Sequence, residues 1–330
     1  MIIHFFISRN RFALLGNASL RGRGVILHPK YVSLASFLLL GACGVQIQNS
    51  SHVQIIDGHD ANGSLHPVVS LQKEDSQGVM FSYCTGVLIS PNHVLTAAHC
   101  STESQSTPVV PVASKTRSVV AYDSHPERPS AQRIPVARIN LAPGYDPLQM
   151  QRNAEGLIIP ANAQDIAVWT LAEPAPTGPL ATAITTEETD LFLVNGKQVV
   201  IMGFGKRSIW DSPWIEHSLA TAETPFFETV EMTQVKQGFE NGRLVKKNIK
   251  HTIKGRTESE FFAGGKDLPD TCNGDSGGPA FIKQGDGRLL LIGITSRGAV
   301  SCDQGGVYTL VPAFMPWVKT ITKSLETTGN

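Results

Sequence analysis

The sequence predicts an all-β protein ending in a helix, on three observations. Short apolar runs of strand length recur between turn residues, no helix-length amphipathic pattern alternates with them, and 30 glycines and 20 prolines are spread along 330 residues. Short runs bounded by Gly, Pro, Asn or Asp are strand signals. Without alternating helices a parallel α/β sheet is disfavoured. In chain order the clearest runs are residues 68–71 (VVSL), 85–90 (TGVLIS), 166–171 (IAVWTL), 199–202 (VVIM) and 289–294 (LLLIGI). Residues 101–118 and the Lys-rich 234–258 read as long surface loops or ribbons. Residues 173–179 (EPAPTGP) read as a linker between an N-terminal half, 55–175, and a C-terminal half, 176–330. In the tail, apolar residues at 317, 318, 321 and 325 have the i, i+1, i+4, i+8 spacing of a helix burying one face.

Composition narrows the function classes. Lys+Arg and Asp+Glu both number 28, for a formal charge of +0, so nothing general favours nucleic acid or an anionic surface. Hydrophobic residues at 41% disfavour disorder, and the length suffices for a sizeable core. No apolar run reaches the ~18–20 residues of a membrane-spanning helix. Residues 1–31 carry Arg9, Arg11, Arg21, Arg23 and Lys30 but no acid; 32–40 (VSLASFLLL) are largely apolar, and Gly41-Ala42-Cys43 follows. That order is an export signal. Leu40-Gly41-Ala42-Cys43 resembles a bacterial lipoprotein processing box, which implies a signal peptide over 1–42, a lipid on Cys43 and a tether or pro-segment over 43–54. The basic region is longer than expected of a whole ~15–30-residue signal, which places the expected translation start near Val25. Of five cysteines, lipidation would remove Cys43 and leave Cys84, Cys100, Cys272 and Cys302 for bridges in an oxidising compartment.

Three strings carry chemistry. In Cys272-Asn273-Gly274-Asp275-Ser276-Gly277-Gly278-Pro279, glycines flank a serine and let the backbone approach a ligand. A serine hydroxyl is a weak nucleophile at neutral pH and needs a base. Leu95-Thr96-Ala97-Ala98-His99-Cys100 supplies one, and Asp165 heads the apolar run 166–171, where it can be buried against an imidazole. The other nine histidines show no HExxH-type metal spacing.

With these strings in the order His, Asp, Ser, the chain resembles the trypsin-like (chymotrypsin-fold) serine proteases over about residues 55–325. The resemblance implies two six-stranded antiparallel Greek-key barrels, a C-terminal helix and an active site in the cleft between the barrels. It implies Ser276 as nucleophile, His99 as general base then acid, Asp165 as its orienting group, and the N–H groups of Gly274 and Ser276 as the oxyanion hole. It also implies bridges Cys84–Cys100 and Cys272–Cys302. Asp270 matches the base of the primary pocket, which favours Arg or Lys before the cleaved bond. Gly298 and Gly306 match the pocket walls, and Ser296 to Gly298 the segment that pairs with substrate. Arg297 stands where the family usually has Trp, and the stretch to Cys302 is one residue longer; an expected consequence is a preference for acidic side chains just upstream of the cleaved bond. Ile55-Ile56-Asp57-Gly58 matches the mature N-terminus of a zymogen family, whose freed ammonium pairs with the acid before the nucleophile, here Asp275.

The expectation is therefore an exported, lipid-anchored endopeptidase of a bacterial envelope, at the outer membrane or cell surface. It is a monomer, acts on proteins or peptides, uses no cofactor or metal, and is released from its anchor if cut before Ile55. Gln54 differs from the Arg or Lys usual at that cut. The alternative is a latent or non-catalytic surface lipoprotein that binds a protein partner on the same fold; turnover dependent on Ser276 separates the two.

Overall fold

A computed structural model describes residues 55–61, 65–103, 109–151, 157–206, 218–241, 243–299 and 301–323. The expected signal peptide, Cys43 and the tether to Gln54 lie outside these residues.

The N-terminal half is a closed barrel. Its strands are β2 (Val68–Glu74), β3 (Met80–Ser90), β4 (His93–Thr96), β5 (Arg117–Ala121), β6 (Arg133–Leu141) and β7 (Ala167–Leu171), after a short β1 (His59–Asp60) that belongs to the other half. The barrel runs β2-β3-β4-β7-β6-β5 and back to β2, all antiparallel. Val69, Leu71, Val87, Leu95, Val119, Val168 and Trp169 are buried in its core. Burial of this aliphatic and aromatic set supplies the driving force, at roughly 25 cal/mol per Å² of apolar surface. The Trp169 indole N–H donates to Ser101 Oγ (2.8 Å), so its one polar atom is satisfied.

The C-terminal half comprises β8 (Thr182–Ala183), α1 (Thr186–Phe192), β9 (Gln198–Gly203), β10 (Ala220–Pro225), β11 (Thr229–Glu240), β12 (Arg243–Lys254), β13 (Glu260–Lys266), β14 (Pro279–Lys283), β15 (Leu289–Gly298), β16 (Gln304–Leu310) and α2 (Met315–Lys323). Six strands follow the order β10-β9-β14-β15-β16-β13 around a core that includes Ile201, Phe226, Phe261, Ile292 and Tyr308. Beside the closed first barrel this sheet forms a half-barrel, in keeping with the expected two-barrel fold. Among the described residues the sheet's ends meet at the Phe226–Ala263 bridge alone. Pro225 has no N–H to extend a ladder, and β13 breaks register after Ala263. β1 occupies the other part of the β10 edge through Asp60–Ala220 and His59–Thr221.

Two connections join the halves. The 173–179 segment lies along the first barrel, with Ala175 N–H donating to Pro91 O (2.8 Å) and the Tyr122 hydroxyl to Pro179 O (2.9 Å). Val318 of α2 and the preceding Val311 and Phe314 pack into the core cluster that contains the first barrel. Of the expected apolar stripe, Trp317, Val318 and Ile321 face that body, while residue 325 lies outside the described residues. The Lys-rich segment is a two-stranded ribbon, β11 paired with β12 from Thr229–Lys254 to Glu240–Arg243.

Candidate active site

Each motif residue sits where a regular element ends. His99 opens a single 3₁₀ turn, His99–Ser101, after β4. Asp165 lies two residues before β7, and Ser276 lies in the turn between β13 and β14. Edge and loop positions leave a side chain free of ladder duties while rigid strands fix its base.

Asp165 is fully buried and fully hydrogen-bonded. Its Oδ2 accepts from His99 Nδ1–H (2.8 Å) and from the Ser296 hydroxyl (2.7 Å), and its Oδ1 accepts from His99 N–H (2.8 Å). Its backbone carbonyl accepts from the Thr309 hydroxyl (2.8 Å). Burial alone pushes the Asp165 carboxyl up, but the charge and hydrogen bonds of His99, with the Ser296 hydroxyl, outweigh it and hold it below the usual value. With Nδ1 donating, His99 Nε2 is left as the acceptor. The cluster Cys84, His99 and Cys100 has metal-like spacing, but both sulfurs are spent in a disulfide, so no thiolate remains to ligate.

Ser276 and His99 share the walls of two cavities. One, of about 220 Å³, is lined by Cys272, Ser296, Gly298 and Cys302 among others. The second, of about 470 Å³, is walled by Lys73, Tyr83, Arg117 and Gly274. Four hydrogen bonds help hold the loop carrying Ser276, three of them to Thr85 and Thr295 and one within the loop. Thr85 N–H donates to Ser276 O (2.8 Å), Gly277 N–H to Thr295 O (2.8 Å), Gly278 N–H to Asp275 O (2.8 Å), and the Thr85 hydroxyl to Gly274 O (2.8 Å). Gly277 takes φ +82°, and a Cβ there would lie 2.0 Å from Thr96 Oγ1. Only glycine fits. Among the described residues, the N–H groups of Gly274 and Ser276 donate to no backbone carbonyl.

Both expected disulfides are formed. Cys84–Cys100 ties β3 to the His99 turn, and Cys272–Cys302 ties the Ser276 loop to the segment before β16. Asp270 is buried at 1% exposure and does not form part of the 220 Å³ cavity wall. Its Oδ1 lies 3.6 Å from where a Cβ on Gly306 would be, and its oxygens accept from Thr271 N–H (2.8 Å) and Gly305 N–H (2.9 Å). Burial pushes its carboxyl up to about 7 against those backbone donors. Asp275 is likewise buried and pushed up to about 7 by burial, while accepting from Gly205 N–H (2.8 Å) and Cys272 N–H (2.8 Å). Ile55 is buried in the second core, and Ile56 exchanges both backbone hydrogen bonds with Asp270 (3.0 and 3.2 Å).

The sequence has counterparts among known proteins. A family model described as Trypsin matches residues 55–318. The chain belongs to the trypsin family of serine proteases. This family member is a serine endopeptidase. It is 28% identical to a trypsin of Simulium vittatum over 84% of this chain and 97% of that one. It is 27% identical to the venom peptide isomerase heavy chain of Agelenopsis aperta over 80% and 98%. It is 26% identical to phenoloxidase-activating factor 3 of Holotrichia diomphalia over 84% and 74%.

Sequence reading missed two features of this trypsin-family site. The Ser296 hydroxyl donates to Asp165, a contact no motif pointed to. Arg297, expected to attract acidic substrate side chains, instead has its guanidinium buried in a two-pronged bond to Glu260, 2.8 Å on each prong, and is already neutralised. An acid in the apolar run Glu260-Phe261-Phe262-Ala263 is the only signal that pointed to such a partner.

Proposed function

We propose that this serine protease cuts peptide bonds after Arg or Lys through an acyl-enzyme on Ser276. The observation that carries the reading is the buried Asp165 carboxylate bonded to His99 Nδ1–H, beside a serine that shares two cavities with that imidazole. Ser276 Oγ attacks the scissile carbonyl while His99 Nε2 takes its proton. The carbonyl C–N bond then breaks as His99 returns the proton to the leaving amine. Water repeats the sequence and frees the acid product. Asp165 stays ionised and stabilises the imidazolium. The negative oxygen forms opposite the N–H groups of Gly274 and Ser276; one such donor typically contributes about 3–4 kcal/mol to the transition state.

Asp270 supplies the preference. A buried carboxylate with only backbone donors is left costly, and an incoming guanidinium or ammonium ion offsets that cost. Gly298 and Gly306 face each other in register across β15 and β16 and leave room for a long side chain. Activation is by release of the Ile55 ammonium onto Asp275, a buried carboxylate with no ion-pair partner among the described residues. Export through residues 1–42 and a lipid on Cys43 fit the two disulfides, which need an oxidising compartment. The enzyme acts as a monomer on protein or peptide substrates. The test is hydrolysis of Arg-, Lys-, Phe- and Ala-amides. Cleavage of the first two, lost in Ser276→Ala, supports the reading; cleavage indifferent to Asp270→Ser removes the specificity assignment.

A further inference from the structure

A buried ion pair links Arg297 of the Ser296–Gly298 segment to Glu260, which no motif assigns. Glu260, at the start of β13, is fully buried, and the Arg297 side chain on β15 is 7% exposed. Beyond the two-pronged bond between them, Glu260 accepts from three successive backbone N–H groups: Ala161 (2.6 Å), Asn162 (3.1 Å) and Ala163 (3.1 Å). Arg297 Nη2 also donates to Ile159 O (2.8 Å). One ion pair therefore grips residues 159–163, the stretch that leads into Asp165. That stretch needs gripping. Asn162 and Gln164 take φ of 58° and 54°, a left-handed backbone that is unfavourable for residues with a Cβ. Such conformations persist where the surroundings over-determine them.

The same guanidinium reaches Asp165 from a second direction. Arg297 Nη1 donates to Ser296 Oγ (3.1 Å), and that hydroxyl donates its own proton to Asp165 Oδ2 (2.7 Å). With one lone pair taken by the cation, the Ser296 proton is directed at the carboxylate. Buried pairs of this kind contribute little net stability after desolvation, so a role in fixing one conformation is the better account.

We propose that Glu260–Arg297 is a positioning pair for Asp165: it fixes the backbone that presents the carboxylate and polarises the hydroxyl that holds it, so that His99 is oriented for proton transfer. The inference rests on the reading of Asp165 as the group that orients His99. It makes Arg297, which also lines the 220 Å³ cavity, a part of catalysis through Asp165 and Ser296.

The test uses the full chain carrying Glu260→Gln with Arg297→Gln, which removes both charges together and leaves no orphan ion. Arg297→Lys is the second variant; it keeps the charge on Glu260 but not the fork. Each is measured with a single-residue arginine amide, which occupies the primary pocket alone, and by NMR of the His99 Nδ1–H proton in a Ser276→Ala background. The double variant is expected to fold with both disulfides. Its kcat should fall between about ten- and a hundredfold, with KM changed less than about twofold. The low-field Nδ1–H resonance should move or broaden, and Arg297→Lys should lie between. Wild-type kcat and an unmoved resonance in a folded variant overturn the proposal. So does a change confined to KM on longer peptides, which would make the pair a wall of the upstream subsites. If the double variant does not fold, Arg297→Lys decides by the same two readouts. A wild-type chain without Ser276-dependent turnover overturns the peptidase reading instead, and the resonance still decides this one.

Discussion

Asp165 shows what keeps a charge where water is excluded. Three hydrogen bonds converge on its carboxylate, two from one histidine and one from a serine 131 residues further along the chain. Asp165→Asn would leave the shape intact but present a donor to His99 Nδ1, and kcat should drop by about 10⁴. Loss of the nucleophile in Ser276→Ala should lower kcat at least as far. Steady-state kinetics with folding checked by near-UV circular dichroism would test both. Asp270 carries a pH signature. With its carboxyl pushed up to about 7, it loses charge as pH falls through that value. KM for an Arg amide should therefore rise below about pH 7 while KM for an Ala amide stays level; parallel profiles would remove Asp270 as the cation's partner. His99 and Ser276 were legible because their chemistry is written in contiguous strings. Glu260 and the turn of Ser296 onto Asp165 were not, since their meaning arises only when β13 and β15 meet the 159–163 segment, contacts that no local pattern encodes.

Elements divide into those that hold the site and those that do not. The turn around Asp275 is packed against Gly203 at the end of β9 and against Gly205 just beyond it. A Cβ on Gly205 would lie 2.5 Å from Asp275 Cγ, so Gly205→Ala should destabilise by about 2 kcal/mol or more and disturb the Ser276 loop. The β11–β12 ribbon is the opposite case. Only its base packs, through Val230, Met232 and Ile253, whereas Val235, Phe239 and Leu244 are exposed. An isolated two-stranded ribbon is marginal in water, so its outer part contributes little to the body. Replacing residues 234–249 by a tight turn should leave kcat unchanged and Tm within a few degrees, measured by calorimetry. Strands such as 166–171 were visible as apolar runs because both their faces are buried. The ribbon was visible only as a charged stretch, since exposed strands carry no burial pattern to read. The Phe226–Ala263 bridge that closes the half-barrel was not legible at all: it depends on Pro225 meeting the register break in β13 across the sheet.

At the scale of the molecule, the two halves are tied by α2, by the 173–179 segment and by the site itself, whose residues come from both. Ile55 is a strained position in the uncut chain. Ile55 is buried and takes φ 53°, a left-handed conformation that is costly for a β-branched residue, on the order of 1–3 kcal/mol. Cutting the bond before Ile55 abolishes that dihedral and frees an ammonium group. In the uncut chain Asp270 and Asp275 are each raised from 3.8 to about 7. The folded state thus holds protons that the unfolded chain has released, and stability falls as pH rises from about 4 to about 7, by on the order of 4 kcal/mol each. Asp165 acts with the opposite sign, its stabilisation being lost only as pH drops below 3.8. Thermal melts of the uncut chain should therefore peak on the acid side of neutral. The chain starting at Ile55 should melt higher at pH 7, because its ammonium neutralises Asp275. The measurement that bears most directly on the account is amide hydrolysis by the chain starting at Ile55, beside the chain starting at Cys43 and Ser276→Ala. Cleavage after Arg and Lys alone, dependent on Ser276 and confined to the form with a free Ile55, is the predicted result. An intact, disulfide-bonded form with no turnover on any of the four amides would contradict it.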